Sequence, residues 1–138
     1  MTIVTKLQGK RIFLVEDNLA NRAIMQILLE QQGAKTSFER WGKETVIQLR
    51  KFMPVDIILL DLMFPRGVTG YDVFDEIRKY PEFKHIPIVA VSASDPSASI
   101  PKAKEKGFCG FIPKPVDYDR FPEQIISILN NEAIWDAG

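Results

Sequence analysis

Three runs of consecutive apolar residues divide this chain: Ile12-Phe13-Leu14-Val15, Ile57-Ile58-Leu59-Leu60 and Ile88-Val89-Ala90-Val91. None alternates with polar residues, which is the habit of parallel strands buried on both faces. Ala34 to Glu39 reads as a further short strand, and Gly110-Phe111-Ile112 as a brief fifth one. Between these runs the apolar spacing becomes helical. Ile24, Ile27 and Leu28 predict the inward face of a first helix stopped by Gly33. Trp41-Gly42-Lys43-Glu44 opens a second helix, with Val46, Leu49 and Phe52 inward and Pro54 at its end. A third spans residues 71–80, with Val73, Phe74 and Ile77 inward. Pro101 fits only a first turn, so the fourth helix is expected to be short, over residues 100–106. The last begins near Phe121, has Pro122 in its first turn, and buries Ile125, Ile126 and Leu129. Residues 1–9 read as a lead-in, and residues 130–138 as a tail that frays or caps the last helix.

Five apolar runs alternating with five helical stretches form a βαβ series, which predicts a parallel sheet covered by helices on both faces. The expected fold is α/β, a flavodoxin-like, doubly wound five-stranded sheet of order 2-1-3-4-5. A length of 138 residues suits one domain. Eighteen basic and eighteen acidic residues cancel, so no basic excess points to nucleic acid or an anionic membrane. The single Cys109 cannot form an internal disulfide and suits a reducing cytoplasm. No apolar run reaches the roughly 18–20 residues of a membrane span, and residues 1–10 lack a signal-sequence core.

Chemistry enters at the strand ends. In open α/β sheets, ligands gather outside the carboxyl ends of the strands. There the chain places Glu16 and Asp17 after the first strand, Asp61 after the third, Ser92 after the fourth and Lys114 past the fifth. Three crowded carboxylates repel one another unless a cation joins them. An all-oxygen donor set with room for water suits Mg²⁺. A metal, an ammonium and a hydroxyl around a carboxylate suit phosphoryl transfer, in which charge neutralisation and positioning dominate. Asp61, central among them, is the expected nucleophile.

These residues carry a resemblance. Glu16-Asp17, Leu59-Leu60-Asp61 followed by Pro65 and Gly70, Ser92-Ala93, and Phe111 with Lys114-Pro115 stand in the order found in the receiver domain of two-component response regulators. The chain resembles that family over about residues 10–130, in the manner of a stand-alone chemotaxis-type receiver. The resemblance implies that Asp61 is the phosphoacceptor and that Asp17 binds Mg²⁺ directly, with Glu16 assisting through water. The Met63 main-chain carbonyl is then a further ligand. Ser92 and Lys114 meet the phosphoryl group, and Phe111 is the switch aromatic. The implied donor is a sensor histidine kinase or a histidine phosphotransfer protein. A single receiver domain over residues 1–138, with its core over about 10–130 and no output domain, is expected, so the expected output is a protein contact or onward transfer. The implied protein is a signalling switch rather than an enzyme.

Three features depart from the family pattern. Glu16 stands where Asp is common. The segment from Asp61 to Gly70 is one residue longer than usual, with Thr69-Gly70 in place of Asp-Gly. Pro101 and the serines of residues 92–99 make the fourth helix atypical. A flavin carrier on the same fold would need a phosphate cradle where the acidic Glu16-Asp17-Asn18 stands. A haloacid-dehalogenase-like phosphatase would need Asp-x-Asp there. A receiver-like binding module that acts without phosphorylation is the remaining alternative. His85 is expected on a surface loop with no role, and Cys109 as a small buried or semi-buried hydrophobe.

Overall fold

A computed structural model describes residues 5–138; the first four residues of the expected lead-in lie outside the described residues. The strands are β1 (Arg11–Val15), β2 (Lys35–Glu39), β3 (Ile57–Leu60), β4 (Ile88–Ser92), β5 (Gly110–Pro113) and β6 (Ile134–Trp135). The helices are α1 (Leu19–Glu30), α2 (Thr45–Phe52), α3 (Gly70–Arg78), α4 (Pro96–Lys106) and α5 (Arg120–Leu129). The sheet has the order β2-β1-β3-β4-β5-β6, and every pair is parallel. The expected order 2-1-3-4-5 is therefore present with one strand added.

The unbroken apolar runs follow from two cores, one on each face. Phe13, Ile58, Leu60, Ile88, Ala90 and Phe111 face one side, against Leu49 of α2, Phe74 of α3 and Ala103 of α4. Ile12, Leu14, Ile57, Leu59, Val89 and Ile112 face the other, against Met25 and Leu29 of α1 and Phe121 and Ile125 of α5. Successive side chains on a strand point to opposite faces, so burial on both removes any polar alternation. Among the described residues no helix is long and apolar enough to cross a membrane.

Four expectations need correction. α1 turns Arg22, Met25 and Leu29 inward, while Ile27 is 56% exposed. Its start is fixed by Asn18, whose side chain accepts the Asn21 N–H. The Arg22 guanidinium lies 3.8 Å from the centre of the Phe38 ring, which lets a charged residue occupy the inward stripe. α2 begins at Thr45, because residues 41–44 wrap around the buried Glu39 carboxylate. That group accepts the N–H groups of Trp41 (3.0 Å), Gly42 (2.5 Å) and Glu44 (3.1 Å).

α4 begins at Pro96, capped by Asp95, and Pro101 lies inside it. Pro101 and Ser97 are both exposed, so the proline ring faces solvent and water can take the carbonyl that loses its donor. Finally, the tail does not merely fray or cap α5. Ile134 and Trp135 pair with Gly110 and Phe111 of β5. His85 is exposed and Cys109 half-buried, as expected.

Candidate functional site

β1, β3 and β5 deliver their terminal side chains to one end of the sheet. The ladder runs on past β1 and β3: Glu16 N–H donates to Glu39 O (3.1 Å) and Asp61 N–H to Val15 O (3.0 Å). Both acids thus sit on backbone held by neighbouring strands. Past β5, Lys114 N–H donates to Ser92 O (3.0 Å), which ties the lysine to the end of β4.

The side chains then converge. Lys114 Nζ donates to Glu16 Oε1 at 2.6 Å and to Asp61 Oδ2 at 2.8 Å. Carboxylate oxygens of Glu16, Asp17 and Asp61 lie within 4.8 Å of one another. Glu16 is 1% and Asp61 5% exposed, so this pairing is largely withdrawn from water. The other Asp61 oxygen accepts the Met63 N–H at 3.2 Å, and Glu16 Oε2 accepts the Asn18 N–H at 3.2 Å.

Burial pushes the Glu16 carboxyl up to about 7; the Asp61 charge adds to this, against the opposing pull of Lys114 and the Asn18 N–H. Burial alone would lower Lys114, but its hydrogen bonds to Asp61 and Glu16 and their charges outweigh that and raise it. Ser92 is buried beside this cluster, and its Oγ accepts the Ser94 N–H at 3.3 Å rather than bonding the acids. Phe111 is buried three residues before Lys114, in the core shared with α3 and α4. The expected acids and Lys114 are therefore brought together. Ser92 stands at their edge, and Phe111 lies behind them without touching them.

The donor set fits a hard divalent cation. Of the three carboxylates, Glu16 and Asp61 share the Lys114 ammonium, and among the described residues Asp17 has no salt-bridge partner. All the cluster's side-chain donors are oxygens, the preference of Mg²⁺.

One supporting group, Glu39, escaped the sequence reading, and Gly70 entered it only as part of a motif. Glu39 resembles a surface acid at the end of β2, yet it organises the loop beside the site. Gly70 donates to Leu62 O at 2.9 Å. A Cβ there would overlap the Asp61 carbonyl oxygen and stand 2.7 Å from Leu62 Cα. Thr69 meanwhile caps α3 in a reciprocal box with Asp72, so this departure from Asp-Gly keeps a cap at the rim. Gly70→Ala is expected to destabilise the fold by about 2 kcal/mol, because backbone and not a flexible side chain must move. Urea denaturation measures this, and a wild-type midpoint would disprove the steric account.

The family profile described as "Response regulator receiver domain" matches residues 12–126. The "Polar-differentiation response regulator DivK" of Brucella ovis is 33% identical over 122 residues, covering 88% of this chain and 98% of that one. A two-component response regulator of the LuxR family from Aurantimonas is similar in structure, with a TM-score of 0.78 at 27% identity over 90% of this chain and 87% of that one. The chemotaxis response regulator CheY4 of Vibrio cholerae shares the fold, with a TM-score of 0.73 at 21% identity over 88% of this chain and 97% of that one.

Proposed function

This chain belongs to the response regulator receiver family, a family of signalling proteins rather than enzymes, and from that premise we propose that it accepts a phosphoryl group on Asp61 from a phosphohistidine donor. The donor class is a sensor histidine kinase or a histidine phosphotransfer protein. One observation carries the reading: Lys114 Nζ sits 2.8 Å from Asp61 and 2.6 Å from Glu16 inside a cluster of three carboxylates.

An Asp61 oxygen attacks phosphorus. The new O–P bond forms as the P–N bond breaks, and its electron pair stays with the departing imidazole. Lys114 moves from the carboxylates to a phosphoryl oxygen, and the Ser92 hydroxyl turns to another. Asp17, Asp61 and the Met63 main-chain carbonyl would hold Mg²⁺, and Glu16 would assist. A cation bound there would supply positive charge to the phosphoryl group. Phosphorylation adds negative charge and acceptor oxygens, and Phe111 repacks as Lys114 is drawn to them, which biases the output surface. Phe111 has no hydroxyl, so it reports the switch through packing alone. The signal leaves by protein contact or by onward phosphoryl transfer.

Intact mass after incubation with acetyl phosphate is the direct test. One phosphoryl group should be gained with Mg²⁺ and none with EDTA. No gain in either condition, nor with a phosphohistidine donor, would favour a module that acts unphosphorylated.

A pH dependence follows from Glu16. Its carboxyl is raised to about 7, chiefly by burial and also by the Asp61 charge, so below that pH it holds a proton that a cation bound beside it would help to expel. Above that pH the carboxylate is already charged. Apparent Mg²⁺ affinity should therefore rise between about pH 6 and 8, with proton release greatest at the lower end. Calorimetric titration in buffers of different ionisation enthalpy measures both, and Glu16→Gln should flatten the dependence. A wild-type profile that is flat with pH would refute the linkage.

A further inference from the structure

The loop after β3 is one residue longer than the family pattern, and nothing in the phosphoryl chemistry uses the extra length. This loop and the one after β2 enclose a cavity of about 240 Å³, lined by Trp41, Lys43, Pro65 and Arg66. It lies outside the carboxyl ends of the strands, where open α/β sheets bind ligands. Neither Asp61, Ser92 nor Lys114 lines it.

Both walls are held in place. The buried Glu39 carboxylate accepts the N–H groups of Trp41 and Glu44, which fixes the backbone on either side of Lys43. On the other wall, Phe64 N–H donates to Val68 O at 3.1 Å and closes the turn Pro65–Gly67. The two loops abut at Gly42, where a Cβ would stand 3.2 Å from Val68 and 3.6 Å from Phe64. Arg66 is left-handed, with φ of 64°. Glycine or asparagine takes that conformation more readily than arginine, so the turn carries a side chain that its backbone does not favour.

The lining is cationic and aromatic. Trp41 is 48% exposed, and the Arg40 guanidinium stands 4.8 Å from the centre of its ring. Among the described residues Arg40, Lys43 and Arg66 form no salt bridge. The chain has no net charge, so three unpaired cations around one indole are a local concentration rather than part of a basic surface. A cavity below the roughly 300–1,000 Å³ of drug-sized sites takes a small molecule. An indole face stacks on a planar ring, and guanidinium and ammonium groups bind phosphate oxygens.

We propose that this cavity binds a nucleoside monophosphate, with the base against Trp41 and the phosphate on Lys43 and Arg66. A nucleic-acid strand would call for a basic surface that this chain lacks. The site stands apart from the receiver reading, because no residue of the Asp61 cluster takes part in it.

The test uses the full chain, with AMP and GMP as probes. Trp135→Phe leaves Trp41 the only tryptophan, so fluorescence reports the cavity. Saturable quenching with a dissociation constant on the order of 10–100 µM is expected for at least one nucleotide, and calorimetry on the wild-type chain should agree. Arg66→Gly suits the left-handed turn and should fold as wild type does, yet bind at least about tenfold more weakly. Trp41→Ala, followed by calorimetry, should lose a similar factor. Inorganic phosphate and the nucleosides without phosphate should each bind at least about tenfold more weakly than the nucleotide. Asp61→Asn should bind as wild type does. No saturable signal with either nucleotide at millimolar concentration would overturn the proposal. So would equal affinity for inorganic phosphate, which would leave a bare anion site. Unchanged affinity in both Arg66→Gly and Trp41→Ala would place the nucleotide elsewhere, and loss of binding in Asp61→Asn would put it on the phosphoryl site; either result also sinks the assignment. A failure of phosphoryl uptake at Asp61 would leave a positive result standing.

Discussion

Asp61→Asn is expected to gain no phosphoryl group from acetyl phosphate or from a phosphohistidine donor, with or without Mg²⁺. An amide has nearly the shape of a carboxylate, and its oxygen can still accept the Met63 N–H that Asp61 now receives at 3.2 Å. Lys114 keeps Glu16 as a partner at 2.6 Å. The fold should therefore survive within about 1 kcal/mol, since lost attraction to Lys114 is offset by lost repulsion from Glu16. Nucleophilicity is what disappears, because the amide lone pair is delocalised and carries no charge. Intact mass reads the result as all or none. A phosphoryl group retained on the variant would move the acceptor to another side chain and sink the assignment.

Lys114→Ala should act differently. Removing the ammonium leaves Glu16 and Asp61 buried with no cation between them. Breaking a buried ion pair by deleting one partner costs about 3–5 kcal/mol. The lower end, about 3 kcal/mol, is expected at pH 8, because Glu16 is already raised to about 7 and can escape part of the repulsion by taking up a proton. The sign follows from that raised carboxyl: the folded variant holds a proton that the unfolded chain has released. Its stability is therefore greater at low pH and falls as pH climbs through the folded value. The gap between variant and wild type should accordingly widen from pH 6 to pH 8 and narrow again when Mg²⁺ is added. Phosphoryl uptake should persist, slowed, while the spectral change that accompanies it is lost. Urea midpoints equal to wild type would show that the ammonium holds nothing together. An unchanged phosphorylation-linked spectral shift would show that it does not couple the site to β5.

Much of this arrangement was legible in the chain because its two strongest signals are local. A strand buried on both faces must be apolar throughout, and the runs at Ile12, Ile57 and Ile88 coincide with β1, β3 and β4 to within a residue. Side chains that follow such runs fall at the strand ends, so Glu16, Asp17, Asp61 and Lys114 could be gathered without coordinates.

The misreadings came from tertiary partners. Of the expected α1 stripe, Ile24 and Leu28 do pack against the core while Ile27 faces out, and the contact of Arg22 with Phe38 helps to fix how α1 sits. Glu39 carries no mark of burial, because its donors are main-chain groups that any sequence supplies. Pro101 is tolerated because it faces outward, which spacing alone does not reveal. β6 has no apolar run; it exists because Gly110 admits it and two helices hold its side chains.

The double-sided sheet has a consequence for how the sequence can drift. Neighbouring residues such as Phe13 and Leu14, or Phe111 and Ile112, belong to separate interiors that share only a backbone. A volume lost at Phe13 cannot be refilled by enlarging Leu14, which points the other way; it can be refilled only from its own side, by strand neighbours such as Ile58 or by α2, α3 and α4. Compensating substitutions are therefore confined to one side of the partition. The helices on each side can adapt to a partner as a group while the opposite side keeps its packing.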